Sequence, residues 1–128
     1  MFNIRKEQLD ALSQASLKSF EDRMVIHLNK FFQPQCQALG DAKTREAIHY
    51  GIQRAKTYGI VSERDVCLYT DLMFAFGRDF DKDPNYSLAP QILTDKTIPD
   101  PTQRINKLFE TALEHVRDTA RAAQKSEI

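Results

Sequence analysis

The sequence has little of what most catalytic and nucleic-acid-binding chains display. Its 128 residues include no tryptophan, two cysteines and only four glycines. So few glycines leave little room for a phosphate-cradling loop, and each falls where a helix cap or a close helix contact needs one. Cys36 and Cys67 are too few for a disulfide framework. Both stand in apolar helical contexts and read as reduced, structural thiols. Cys67, among Val66, Leu68 and Met73, has surroundings that raise a thiol pKa and blunt its reactivity. Charge of one sign is missing too. Eighteen basic side chains cancel eighteen acidic ones, which gives no pull towards nucleic acid or an anionic membrane. No apolar run approaches the ~20 residues of a membrane span, and the N-terminus lacks the charged-then-apolar layout of a signal peptide. A cytoplasmic location is expected, with neither nucleic acid nor membrane as partner.

What is present is helical. Apolar residues make up 41% and charged ones 28%, which fits a single folded domain over residues 1–128. From about Arg5 to Phe32 no glycine or proline intervenes, and Leu9, Leu12, Ser16, Phe20, Met24, Leu28 and Phe31 share one stripe, widened by Leu17, Val25 and Phe32. Phe2 could fold back on it as a hydrophobic staple. Pro34 suits the first turn of a short helix ending at Leu39 before Gly40. Asp41 caps a third helix, Ala42 to Tyr58, with Ile48, Ile52 and Ala55 inward. Gly51 within it costs about 1 kcal/mol against alanine, a residue placed to let a neighbouring helix come close. Gly59 closes that helix, and Ser62 with Asp65 opens the next, Glu63 to Phe76, stopped by Gly77. Its apolar surface is wide: Val66, Tyr69, Met73 and Phe76 on one line, Leu68, Leu72 and Ala75 beside it. That marks a central helix.

Residues 78–100 then form a long loop, holding most of the prolines and many of the aspartates, with one helical turn at Ala89–Leu93. Asp100 and Pro101 open a last helix to about Ala123 that carries Ile105, Leu108, Phe109, Ala112, Val116 and Ala120 inward. A frayed tail, 124–128, follows. No strand-like alternation appears. The expectation is an all-α, compact bundle of five to six helices around the helix at about 63–76.

Chemistry is harder to find. Asp79, Asp81 and Asp83 have the spacing of the first three calcium ligands of an EF-hand, but Pro84 and Pro90 replace the required glycine and glutamate. Capping and loop-amide bonding is the plain reading. His27, His49 and His115 fall on three helices without a ligand pair, so no metal or other cofactor is expected. The carboxylates of Glu21 and Asp22 lie on the polar side of a long helix, where such groups are usually solvated. No serine elbow or activated thiol appears, and an enzyme is not expected.

Surface remains. Asp65 to Asp100 holds seven acidic and three basic residues, Asp41 to Arg64 five basic and three acidic. These could form two charged faces for a protein partner. Alternatively they pair internally, Arg64 or Arg54 with Asp71 or Asp79. Phe2, Phe32, Phe74, Phe80 and Tyr86 have no assured place inside. Either they form an exposed aromatic patch, or the long loop folds over as a lid and buries Phe80, Tyr86 and Ile92.

SFEDRMVIHLNKFF (Ser19 to Phe32) and REAIHYGIQRAKTYGIVSERDVCLYTDLMFAFGRDFDKDP (Arg45 to Pro84) resemble small helical proteins of Gram-negative type VI secretion loci, encoded beside spike-tip (PAAR) proteins and toxic effectors. The likeness covers roughly Phe2 to Leu93, and its residues are caps, core and corners. It implies an accessory role, a chaperone, co-chaperone or adaptor holding an effector for loading. The expected partner is thus a secreted effector, a spike-tip protein or another chaperone, met by Arg54, Arg64, Asp79, Phe80, Asp81 and Tyr86. An immunity protein neutralising a cognate toxin is the alternative, and a small hydrolase or nuclease with a dispersed site a further one.

Overall fold

The computed structural model describes the backbone of residues 6–126 and the side chains of residues 15–121. Among these residues there are six α-helices, two single 3-10 turns and no strand: α1 Lys6–Phe31, α2 Gln33–Leu39, α3 Asp41–Thr57, α4 Glu63–Phe76, the turns Phe80–Lys82 and Pro84–Tyr86, α5 Leu88–Leu93 and α6 Pro101–Ser126. The all-α expectation holds. The chain divides into two compact units, Met1–Tyr50 and Gly51–Ile128, with the boundary inside α3.

In the first unit α1 runs unbroken, as a segment without glycine or proline should. Phe20, Met24 and Leu28 of its stripe are buried, but Phe31 at its end is 60% exposed, contrary to the periodicity. That ring stands at the very end of α1, just before α2 begins at Gln33. Lys30 and His27 shield it, at 5.3 and 4.9 Å from its centroid. Leu9 and Leu12 of the stripe, and the Phe2 staple, lie outside the described side chains. Pro34 sits in the first turn of α2, and the Gly40 amide closes it on the Cys36 carbonyl at 2.9 Å. Arg45 of α3 fastens the unit. Its guanidinium donates to Glu21 and Asp22 of α1, both at 2.8 Å, and to Asp41 at 3.0 Å, while His49 Nε2 lies 2.7 Å from Glu21. Glu21 and Asp22 are therefore paired, and Arg45 holds both carboxyls below their ordinary pKa.

In the second unit Gly51 has the role its position suggested, and its neighbour is α4. A Cβ there would come within 3.0 Å of Met73 Sδ and Thr70 Oγ1. Gly59 closes α3 in the left-handed region at φ +77. Ser62 then accepts the Asp65 amide at 3.3 Å and starts α4. Val66, Tyr69, Leu72 and Met73 of α4 are buried, together with Asp65 and Thr70, which periodicity alone would not place inside. Thr70 stays satisfied by donating to the Val66 carbonyl at 2.9 Å.

The stretch expected as a long loop contains the two 3-10 turns and α5. Asp100 caps α6 by accepting the Thr102 amide at 3.0 Å. α6 packs on α4 and α5 through Ile105, Leu108 and Ala112. Past Ala112 the expectation fails, since Val116 is 50% exposed and Ala120 is exposed as well. The reason is length. At 26 residues α6 extends about 39 Å, whereas α5, which packs along it, has six residues. The backbone stays helical to Ser126, three residues beyond the predicted end; the tail's last two residues are outside the described ones.

Candidate functional site

The segment between α4 and α5, residues 78–87, is organised by two inward side chains. Gly77 ends α4 with φ +120, and its amide takes the Met73 carbonyl at 2.9 Å. The chain then makes two tight turns with their own i→i−3 bonds: Phe80 to Gly77, Lys82 to Asp79, Asp83 to Phe80 and Tyr86 to Asp83. Phe80 is 1% exposed and its ring lies 5.1 Å from Tyr69. Asp81 is wholly enclosed, and its Oδ2 accepts from Arg54 Nη2 in a short contact and from the Tyr58 hydroxyl at 2.7 Å. Arg54 and Tyr58 stand one turn apart on and just beyond α3. The neighbouring carboxylate raises the Arg54 pKa, against the opposing effect of burial. Burial, then the bond to Asp81, pushes the Tyr58 phenol up to about 12, and burial keeps the Tyr69 phenol protonated. Three buried atoms of this cluster find no protein partner: Asp81 Oδ1, Arg54 Nε and the Tyr69 hydroxyl.

Tyr86 lies elsewhere. Its ring stacks on Phe76 at 5.3 Å and leans on His115 of α6 at 5.9 Å. Between Phe76 and the first turn runs an open groove of about 320 Å³, lined by Phe76, Gly77, Asp79, Phe80, Lys82 and Pro84 among others. Beyond Ala112 every described residue of α6 is exposed, with Leu113 (41%) and Val116 (50%) forming an uncovered apolar stripe.

A third fastening joins α4 to α6. Arg64 donates to Asp65 and to Asn106, both at 2.8 Å, and Thr102 donates to the other oxygen of Asp65 at 2.5 Å. Burial works against the ionised Asp65, but the bonds from Thr102, Ser62 and Arg64 outweigh it and leave its pKa below the usual value. Arg104 gathers three carbonyls, Ile98 at 2.7 Å, Pro99 at 3.0 Å and Tyr58 at 2.9 Å.

The six residues singled out as partner contacts therefore divide. Phe80 and Asp81 are inside the unit, a correction to their assignment to a contact surface. Phe80 turns inward onto the Tyr69 ring, and Asp81 turns inward to accept from Arg54 and Tyr58. Arg54 belongs to the same cluster. Tyr86 is half-buried, whereas Arg64 and Asp79 are exposed. The lid alternative describes Phe80 and Ile92, both buried, better than the aromatic patch does. Internal pairing of the two charged stretches also occurs, Arg54 with Asp81 and Arg64 with Asp65. Asp83 and Asp95 bond loop amides, at Asn85 and Thr97. Sequence reasoning missed Tyr58, Tyr69, Thr102 and Arg104. Arg54 with Tyr58 at i, i+4 was the one available signal. Both cysteines are free, and burial raises the Cys67 thiol to about 11, as its apolar neighbours suggested.

These features define an all-α protein whose polar clusters serve as internal fastenings and whose described surface includes an uncovered apolar helix stripe. No helix among the described residues is long and apolar enough to cross a membrane. Comparison with protein-family models, curated proteins and solved structures finds no match.

Proposed function

We propose that the protein is a non-enzymatic accessory factor, a chaperone or adaptor, that holds a protein partner against the outer half of α6. The observation that carries this reading is the stripe of Leu113 and Val116, 41% and 50% exposed on a helix whose inner half is packed. An amphipathic helix gains by burying such a stripe, and a groove or helix of another protein is the usual means. The resemblance of the Ser19–Phe32 and Arg45–Pro84 stretches to type VI secretion accessory proteins supports a secreted effector or spike-tip protein as the partner. The polar residues add support of another kind. Arg54, Asp81, Arg64 and Asp65 are engaged with one another or with neighbouring side chains, an employment that suits scaffolding better than turnover.

Co-purification with the effector or spike-tip protein encoded alongside tests the proposal, with micromolar binding expected. No binding at that concentration defeats it. Rescue of cells that express the toxin alone would instead identify an immunity protein, because a loading factor acts only when the effector is being secreted.

A further inference from the structure

The connection between α4 and α5 is fastened to its unit by side chains. Its backbone bonds at Phe80, Lys82, Asp83 and Tyr86 all return to carbonyls three residues earlier in the same stretch. What ties it to its surroundings is side chains: Phe80 against Tyr69, Asp81 on Arg54 and Tyr58, Tyr86 on Phe76 and His115. The charged tie is incompletely satisfied, since Asp81 Oδ1 and Arg54 Nε are buried without a protein partner. A buried ion pair of this kind contributes little net stability, because desolvation of both charges offsets their attraction. The open groove of about 320 Å³ along Phe76, Gly77, Phe80 and Pro84 leaves the segment unpacked on that side. Gly77, at φ +120 with nothing within 4 Å of a Cβ built on it, stands at its start.

We propose that residues 78–87 form a strap that opens as a unit about Gly77 while α4 and α6 stay folded, with Asp81 on Arg54 as its latch. Once the side-chain anchors let go, the short-range bonds of the turns have nothing to hold them closed, and their amides exchange in the open form. Opening carries Phe80 and Asp81 out together and bares the Tyr69 ring and the Arg54 guanidinium. The strap thus covers, in the closed form, an aromatic and cationic surface within the second unit. This inference concerns the strap alone and does not depend on what binds α6.

Native-state hydrogen exchange on the full chain, followed residue by residue at low denaturant concentrations, tests it. In the wild-type protein the amides of Phe80, Lys82, Asp83 and Tyr86 are expected to exchange through an opening with little denaturant dependence, well before those of Thr70, Met73, Ile105 and Leu108. In Asp81→Asn the four strap amides should lose protection about tenfold or more, the change expected when a charged hydrogen bond is weakened, while the helix amides keep theirs. The wild-type measurement stands whether or not the variant folds. Exchange of strap and helix amides through one common opening overturns the proposal. So does a wild-type strap with no protection, which would mean that it is never closed. An Asp81→Asn variant that leaves strap protection unchanged removes the latch.

Discussion

Truncating Leu113 and Val116 to alanine separates a binding stripe from an idle one. Full burial of a leucine or valine side chain contributes about 1.5–3 kcal/mol relative to leaving it in water. Here 41% of Leu113 and 50% of Val116 remain to be covered. The pair should therefore supply about 2 kcal/mol to an interface, which corresponds to a ~30-fold rise in Kd on truncation. Folding should hardly notice. Both residues are exposed, and alanine is a better helix former than valine, so the stability change should stay within about 0.5 kcal/mol. Calorimetric titration of the proposed partner, an effector or spike-tip protein, into wild-type and L113A/V116A chains reads the difference. Glu114→Gln, on the far side of the helix, serves as the control expected to bind as wild type. Equal affinity of L113A/V116A and wild type, with both folded, would refute the assignment of this stripe to a partner.

Other consequences concern the fold. Gly51→Ala gains about 1 kcal/mol of helix propensity, but the new methyl meets Met73 Sδ and the bonded Thr70 hydroxyl at 3.0 Å. Overpacking of that sort costs about 1–3 kcal/mol, so a net loss near 1 kcal/mol is expected in urea unfolding, and a raised midpoint would contradict the close approach. Arg104→Ala removes the donor to three carbonyls and should cost about 2–4 kcal/mol; lysine, a point charge without the fork, should restore less than half. Acid should destabilise the protein. Glu21, Asp22 and Asp65 have folded pKa values below their ordinary ones, so their contribution is complete above the unfolded pKa of about 4 and is lost as pH falls through the folded values. The unfolding midpoint should drop below that pH, and Asp65→Asn should drop less steeply than wild type.

The sequence carried the elements well because their signals are local. A glycine after the last apolar residue, a serine three before an aspartate and a proline after an N-cap each act within one turn, and α4 begins and ends where Ser62 and Gly77 put it. The site was only partly legible because its bonds are long-range. Asp81 reaches Arg54 across 27 positions, and Thr102 reaches Asp65 across 37. In each case an aspartate in a loop or a first helical turn looks the same whether it faces water or an arginine. Spacing placed Asp79, Asp81 and Asp83 together as a set. The fold separates them into an exposed residue, a buried latch and a turn cap, because alternate residues of a tight turn point different ways.

α6 shows the limit of periodicity most plainly. Ile105, Leu108 and Ala112 continue into Val116 and Ala120 without any change of period, yet cover stops between Ala112 and Val116. An apolar repeat specifies which side of a helix avoids water. It does not specify how far the rest of the chain reaches to meet that side. The reach is set by other elements: by α5, which ends after six residues, and by Tyr86, which extends the contact only as far as His115. Wherever a repeat outlasts its cover, the surplus is either a cost tolerated at the surface or a contact reserved for another molecule. Since Leu113 and Val116 contribute little to folding in their present surroundings, their hydrophobicity has a physical use only if something else covers them, and that is the difference the alanine pair measures.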